Sequence, residues 1–209
     1  MSDKFNLKGS AVKYLAKLQV TLSNLDFNAM DHAIELIAKT WQAGKQIIVF
    51  GNGGSAITAL HYITDWNKMI PQATGKPFRG RTLADNMGLV TAYANDMSYA
   101  DVFVEQLKNI LQPNDLVIGI SGSGNSENVI KAINYANNHQ SVTLGICGYN
   151  GGKLAQCAQH VVHVSINDMQ VSEDIHAIFG HIVMQALTGY LNEPAAYFSN
   201  QSLLLSEQE

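Results

Sequence analysis

Apolar side chains recur at Val12, Leu15, Leu18 and Leu22 within residues 8–24, the spacing of one helix face. The same spacing returns over 28–43 at Met30, Ile34, Ile37 and Trp41, and Gly44 stands where a helix C-cap belongs. The pattern then changes character. QIIVF at 46–50, DLVIGI at 115–120, SVTLGI at 141–146 and HVVHVSI at 160–166 are short and almost continuously apolar, with Arg81–Ala84 a weaker fifth run. Runs without polar alternation suit strands covered on both faces, as in a parallel sheet. Helix-length segments lie between and after them, at about 54–68, 99–111, 126–139, 151–158 and 172–190. This order predicts an α/β fold, a three-layer αβα sandwich around a five-stranded parallel sheet.

Residues 1–191 read as a single domain and 192–209 as a tail that loses helical periodicity and turns polar. The segment NVIKAINYAN is amphipathic and expected to face the core, and the Met and aromatic positions of 84–104 are expected to serve packing. The two N-terminal helices precede the first strand and are not needed to complete the sheet. They are expected to pack against other copies of the chain.

Composition narrows the class. With 209 residues, 46 % of them hydrophobic and 14 % charged, the chain has material for one large core, which excludes disorder. A net charge of −4 offers no basic field for nucleic acid or an anionic membrane. No apolar run reaches the roughly 18 residues of a membrane span, and the N-terminus lacks the apolar core of a signal peptide. Cys147 and Cys157 form no CxxC pair and read as free thiols of a reducing compartment. A soluble cytoplasmic protein is expected.

Two glycine-rich loops carry the candidate chemistry. FGNGGSA at 50–56 ends one strand and opens one helix, where unpaired backbone amides suit a phosphate. It is neither a Walker loop nor G-x-G-x-x-G, and a tight strand-to-helix turn is its plain alternative. GISGSGNSENVIKAI at 119–133 repeats the arrangement with the hydroxyls of Ser121, Ser123 and Ser126, the last near the helix N-cap. Both fall at carboxyl ends of strands, the edge on which open α/β sheets bind ligands. On the helix after the first loop, His61 and Asp65 are spaced i, i+4, so one cation could contact both. A helix-surface pair is the ordinary alternative. Glu173 and His181 stand about two turns apart on a later helix with an angular offset of roughly 80°, and imidazole with carboxylate suits zinc. His32, His139, His160, His163 and His176 are given no role.

The segments GNGGSA, ISGSGNS, ANDMSYADVF and SEDIHAIFGH together resemble a sugar isomerase (SIS) domain. Within it the chain is most similar to the phosphoheptose isomerases, over about residues 8–191. These enzymes convert sedoheptulose 7-phosphate to D-glycero-D-manno-heptose 7-phosphate for lipopolysaccharide or capsule heptose. The resemblance implies a flavodoxin-like sandwich assembled as a homotetramer, with active sites at subunit interfaces. It implies sugar contacts at Asn52, Gly53 and Gly54, and a phosphate held by Ser121, Gly122, Ser123 and Ser126 with Ser55 close by. Asn95 and Asp96 would contact the hydroxyl-bearing chain, and Glu173 would also touch the substrate. Zinc would be held by His61, Asp65, Glu173 and His181, with Asp65 as base and His181 as acid.

The chain departs from the family pattern at several places. Asp65 replaces a glutamate one methylene longer, Thr64 stands where a second acid is usual, Glu173 replaces glutamine, and Gly122 replaces threonine. The segment NKMIPQATGKPFRGR lacks the usual Thr-Gly-Arg and offers Lys68, Lys76, Arg79 and Arg81 as anion partners instead. A non-catalytic SIS protein remains the alternative, either a phosphosugar sensor or a binder of a protein such as the replication initiator DnaA. The acid at 65 and the histidine at 181 favour the enzyme.

Overall fold

The computed structural model describes residues 7–189. The tail expected at 192–209 lies outside the described residues. Two helices, α1 (Leu7–Ser23) and α2 (Phe27–Gln42), precede strand β1 (Ile47–Gly51). There follow α3 (Gly54–Thr74), β2 (Gly80–Thr82), α4 (Met87–Asp96), a 3₁₀ turn at Tyr99–Asp101 and α5 (Val104–Ile110). The chain continues through β3 (Leu116–Ser121), α6 (Glu127–Asn137), β4 (Val142–Cys147), α7 (Leu154–Cys157), β5 (His160–His163) and α8 (Met169–Gly189). The sheet has five strands in the order β2-β1-β3-β4-β5. Every pairing is parallel, with Ile47 opposite both Gly80 and Leu116 at the start of β1. This is the expected αβα sandwich.

The N-terminal helices depart from expectation in a way that the topology explains. Parallel crossovers are right-handed, so the connections that step from β2 to β3, β4 and β5 put α5, α6 and α7 on one face. Only α3, stepping back from β1 to β2, falls on the other. Helices from the two chain ends fill that second face. Met30, Ala33, Ile37 and Trp41 of α2 and Phe179, Val183 and Leu187 of α8 share one core with Ile47, Val49, Ile118, Leu144 and Ile146. So α2 is part of the sandwich, not an accessory, and Gly44 at φ +67° lets the chain turn from its end into β1. Helix α1 is different. It lays Tyr14, Leu18 and Leu22 on Val164, Val171 and Ile175, while Val12, Leu15 and Val20 remain at least 60 % exposed. Two polar ties hold it: the Tyr14 hydroxyl donates to Asp174 at 2.6 Å and the Lys17 ammonium to Asp168 at 2.8 Å. The first tie raises the Tyr14 hydroxyl to about 12.

Residues 84–104 also correct the expectation. Phe103 is buried and its ring packs on Phe50. Helix α4, however, buries no residue, and Met87, Met97 and Tyr99 are more than half exposed. It lies in the connection leaving β2, the sheet's edge strand, where no neighbouring strand lies beyond it to be covered. Helix α6 follows its pattern, burying Val129, Ala132, Ile133 and Ala136. Among the described residues no helix is long and apolar enough to cross a membrane.

Candidate active site

Gly180 sets the geometry of the site. A methyl group there would stand 2.1 and 2.2 Å from ring atoms of Tyr62, so only glycine lets α8 approach α3 this closely. The Tyr62 ring stacks on Trp66, its hydroxyl donates to the His176 carbonyl, and the Trp66 indole N–H donates to the Gly180 carbonyl at 2.9 Å. Each of these buried residues has a site residue beside it in the chain: His61 next to Tyr62, Asp65 next to Trp66, His181 next to Gly180. Locking the helices in this register therefore brings the three polar side chains together.

They converge closely. His61 Nε2 lies 3.4 Å from Asp65 Oδ2, His181 Nε2 lies 3.7 Å from the same oxygen, and the two Nε2 atoms are 3.4 Å apart. Zinc bonds of about 2.0–2.1 Å in a tetrahedron need ligand atoms about 3.3–3.4 Å apart, so this donor set fits a divalent cation. The imidazoles are about half exposed and the carboxylate 27 % exposed, which leaves an open side, as catalytic zinc sites have.

Glu173 does not join them. Among the described residues the cluster consists of His61, Asp65 and His181. Glu173 precedes His181 by eight residues on α8, about 12 Å of helix rise, and that rise outweighs the tolerable angular offset. Its carboxylate lies instead against the first loop, where a methyl group on Gly54 would stand 2.8 and 3.0 Å from its oxygens.

The two loops adjoin at the carboxyl ends of β1 and β3. Gly53, at φ +54°, opens α3 with no side-chain cap; the Ala56 amide bonds back to the Asn52 and Gly53 carbonyls, which leaves the amides of Gly54 and Ser55 for a ligand. Ser55 itself is buried. In the second loop the Ser121 and Ser126 hydroxyls meet at 3.1 Å, and Ser126, though the N-cap of α6, makes no capping bond. Ser123 Oγ accepts from the Asn125 amide at 3.2 Å, leaving its own proton free to donate. Gly124, at φ +67°, has no room for a side chain, because a methyl group would fall 2.0 Å from the Gly151 carbonyl oxygen. Gly122 is equally confined: a methyl group would stand 2.4 Å from Met169 Sδ. The thioether thus fills the space that a side chain at position 122 would need.

Asn52 ties the loops together. Its amide and that of Asn128 exchange two hydrogen bonds of 2.8 and 2.9 Å, and the Tyr99 hydroxyl donates to Asn52 Oδ1 at 2.9 Å. The Asn52 side chain is thereby committed within the chain. Sequence reasoning gave no role to Asn128, Tyr99 or Met169, although Tyr99 lies within the ANDMSYADVF segment. Asn95 and Asp96 bond each other at the exposed end of α4, just before Tyr99.

The four basic candidates fare differently. Lys76 donates to the Gln42 carbonyl and Arg79 to the Gly44 carbonyl, which anchors both where the strands begin, on the edge opposite the loops. Lys68 is exposed. Arg81 lines a separate cavity of about 410 Å³ with Asn67, Asp85 and Asn86. His176, expected as a plain polar position, is only 1 % exposed, and neither ring nitrogen has a partner among the described residues. Burial pushes its imidazole down to about 4, and the nearby Cys147 backbone only softens that shift. Its isolation shows no sequence signal.

Known proteins resemble the chain in both sequence and fold. The SIS domain family matches residues 13–148. The phosphoheptose isomerase of Thermodesulfovibrio yellowstonii is 36 % identical over 164 residues, covering 78 % of this chain and 81 % of that protein. The probable phosphoheptose isomerase of Thermoplasma acidophilum is 33 % identical over 173 residues, 83 % of this chain and 94 % of that one. A phosphoheptose isomerase structure from Francisella tularensis superposes with a TM-score of 0.81 at 19 % identity, covering 88 % and 99 % of the two chains. One from Neisseria gonorrhoeae gives 0.79 at 24 %, covering 87 % and 98 %. At these identities the structural likeness speaks for the fold.

Proposed function

The chain belongs to the SIS-domain family, in its phosphoheptose isomerase branch, and from that premise we propose that it is an aldose–ketose isomerase of a phosphorylated sugar. Sedoheptulose 7-phosphate, converted to D-glycero-D-manno-heptose 7-phosphate, is the leading substrate. The observation that carries the reading is the meeting of His61, Asp65 and His181 with their polar atoms within 3.7 Å of one another. A sensor or a protein-binding relative has no need of such a cluster.

The proposed division of labour follows the chemistry of the groups. Ser121, Ser123 and Ser126, with the amides around Gly122 and buried Ser55, hold the phosphate dianion. The amides of Gly53 and Gly54 orient the sugar, and Asn95 and Asp96 receive its outer hydroxyls. His61, Asp65 and His181 would hold one divalent ion, zinc by donor type, which when bound polarises a carbonyl oxygen. Isomerisation moves a proton between adjacent carbons while another moves between their oxygens. His181, whose Nδ1 engages no described residue, is the acid toward oxygen, and Asp65 is the base toward carbon. Cytoplasmic location and a homotetramer belong to the same proposal. The exposed apolar face of α1 and the open side of the cluster support contact between copies.

The test is elemental analysis of the purified protein combined with conversion assays on ketose phosphates of five to seven carbons. Conversion of the seven-carbon substrate by cation-loaded protein is the expected result. Binding of phosphosugars with no conversion of any of them would return the chain to the sensor class.

A further inference from the structure

Strand β2 is an edge of the sheet, and its outer side is only partly served. The Ile47 amide bonds to the Arg79 carbonyl and the Leu83 amide to the Val49 carbonyl. Residues 79, 81 and 83 therefore face β1, and the peptide groups of Gly80 and Thr82 point outward. Gly80 is satisfied from within the chain. The Asn67 carboxamide donates to its carbonyl at 3.0 Å and accepts from its amide at 2.9 Å, one planar amide edge standing in for a neighbouring strand. Thr82, two residues on, presents the same outward N–H and C=O, and no described residue bonds either. Buried peptide groups ordinarily find partners, and Thr82 is only 4 % exposed.

Thr82 borders the cavity of about 410 Å³ between α3, α5 and the start of α4, a volume within the range of small-molecule pockets. Gln106 marks that cavity as a polar site and not a packing gap. It is 6 % exposed, and its N–H groups both go to carbonyls, of Leu83 at 3.0 Å and Val102 at 2.8 Å, which fixes the orientation of the amide. Its oxygen has no partner among the described residues and is not sealed off; it opens on the cavity that Gln106 lines. Ile63 and Leu89 supply apolar walls, while Arg81 and Asp85 place one charge of each sign there. Hydrogen-bond pattern, more than net charge, thus selects the occupant. Because Asn67 already holds the pair at Gly80, an added strand is blocked after one residue, and a small molecule is favoured.

We propose that this cavity binds a small planar ligand with an amide-like edge, the lactam of a uracil or guanine base, which pairs with Thr82 as Asn67 pairs with Gly80. The Thr82 N–H donates to the ligand carbonyl, the ligand N–H donates to the Thr82 carbonyl, and Gln106 Oε1 accepts from a further N–H or hydroxyl. Asn67 follows Asp65 by two residues, roughly 200° around α3. The site therefore lies on the far side of that helix from the histidine cluster, and both can be filled at once.

Calorimetric binding of uridine and of guanosine to the full chain tests this, since neither nucleoside carries a phosphate for the serine loops. At least one should bind once per chain, with the same affinity when sedoheptulose 7-phosphate is saturating, and the tighter of the two identifies the base. Methylation of the lactam nitrogen, in 3-methyluridine or 1-methylguanosine, should weaken binding about tenfold or more. Thr82→Val keeps the outward N–H and should bind within a few fold of wild type. Thr82→Pro removes that donor as well, on the side of an edge strand where proline is tolerated, and should abolish binding. Failure of both nucleosides to bind, equal binding of the methylated forms, retained binding by Thr82→Pro, or displacement by sedoheptulose 7-phosphate overturns the inference. The comparison of methylated and unmethylated nucleosides decides even where Thr82→Pro does not fold. Failure of the isomerase reading appears separately, as absence of conversion by wild type.

Discussion

The Nε2 atoms of His61 and His181, from α3 and α8, face each other at 3.4 Å with their rings edge to face. Two neutral imidazoles in that pose can share only one hydrogen bond. Their second partner is Asp65 Oδ2, which lies within 3.7 Å of both.

Removing Asp65 or His181 should therefore empty the cluster without touching the phosphate loops. Asp65→Ala and His181→Ala are each expected to lower bound divalent metal at least tenfold and kcat by about a hundredfold or more. Binding of a phosphosugar should weaken only a few fold. Elemental analysis, calorimetry and a conversion assay on the same preparations check this, and undiminished metal content would remove the cluster from the site.

Gly180→Ala should damage the site from behind. The new methyl group collides with the buried Tyr62 ring, so α8 must move away from α3 at a cost of about 1–3 kcal/mol. His181 moves with the helix. A lowered denaturation midpoint together with weaker cation binding is expected; a stability loss with unchanged cation affinity would mean that the helix contact and the cluster are independent.

Gly122 and Met169 should behave as a coupled pair. Gly122→Thr alone places a side chain in the thioether's space and is expected to destabilise the protein by about 1–3 kcal/mol and weaken phosphate binding. Adding Met169→Ala opens that space and should restore both. A double-mutant cycle with coupling of about 0.5–3 kcal/mol is the expected outcome, and simple additivity would contradict the contact.

His176 should make the protein acid-sensitive. Its imidazole is held at about 4 in the fold, whereas an unfolded histidine titrates near about 6.5. Between those values the unfolded chain binds the proton and the native one does not. The contribution is thus fully present above about pH 6.5 and is lost as pH falls towards 4, of order 3 kcal/mol in all. His176→Leu, apolar and similar in volume, should flatten that arm of the stability curve. Calorimetric midpoints of both proteins measured from pH 7 to pH 4 make the comparison.

Much of the molecule was legible in the chain. Continuous apolar runs marked four of the strands because a parallel strand is buried on both faces, and all of β1 and β3 is. The loops were legible because glycines and serines at strand ends are local features that need no distant partner. The i, i+4 spacing of His61 and Asp65 put them on one helix face for the same reason.

Other features depended on which elements the fold brings into contact. Three crossovers fall on one sheet face and one on the other, which makes α2 part of the core and leaves α4 uncovered. His181 joins His61 because Gly180 admits the Tyr62 ring, an interlock between residues more than a hundred positions apart. Glu173 reads in sequence as a fourth ligand, yet helix rise carries it to Gly54. Local pattern reports what a residue does within its own element. Packing between elements decides which side chains meet, and that rests on volumes and distances that a linear spacing does not contain.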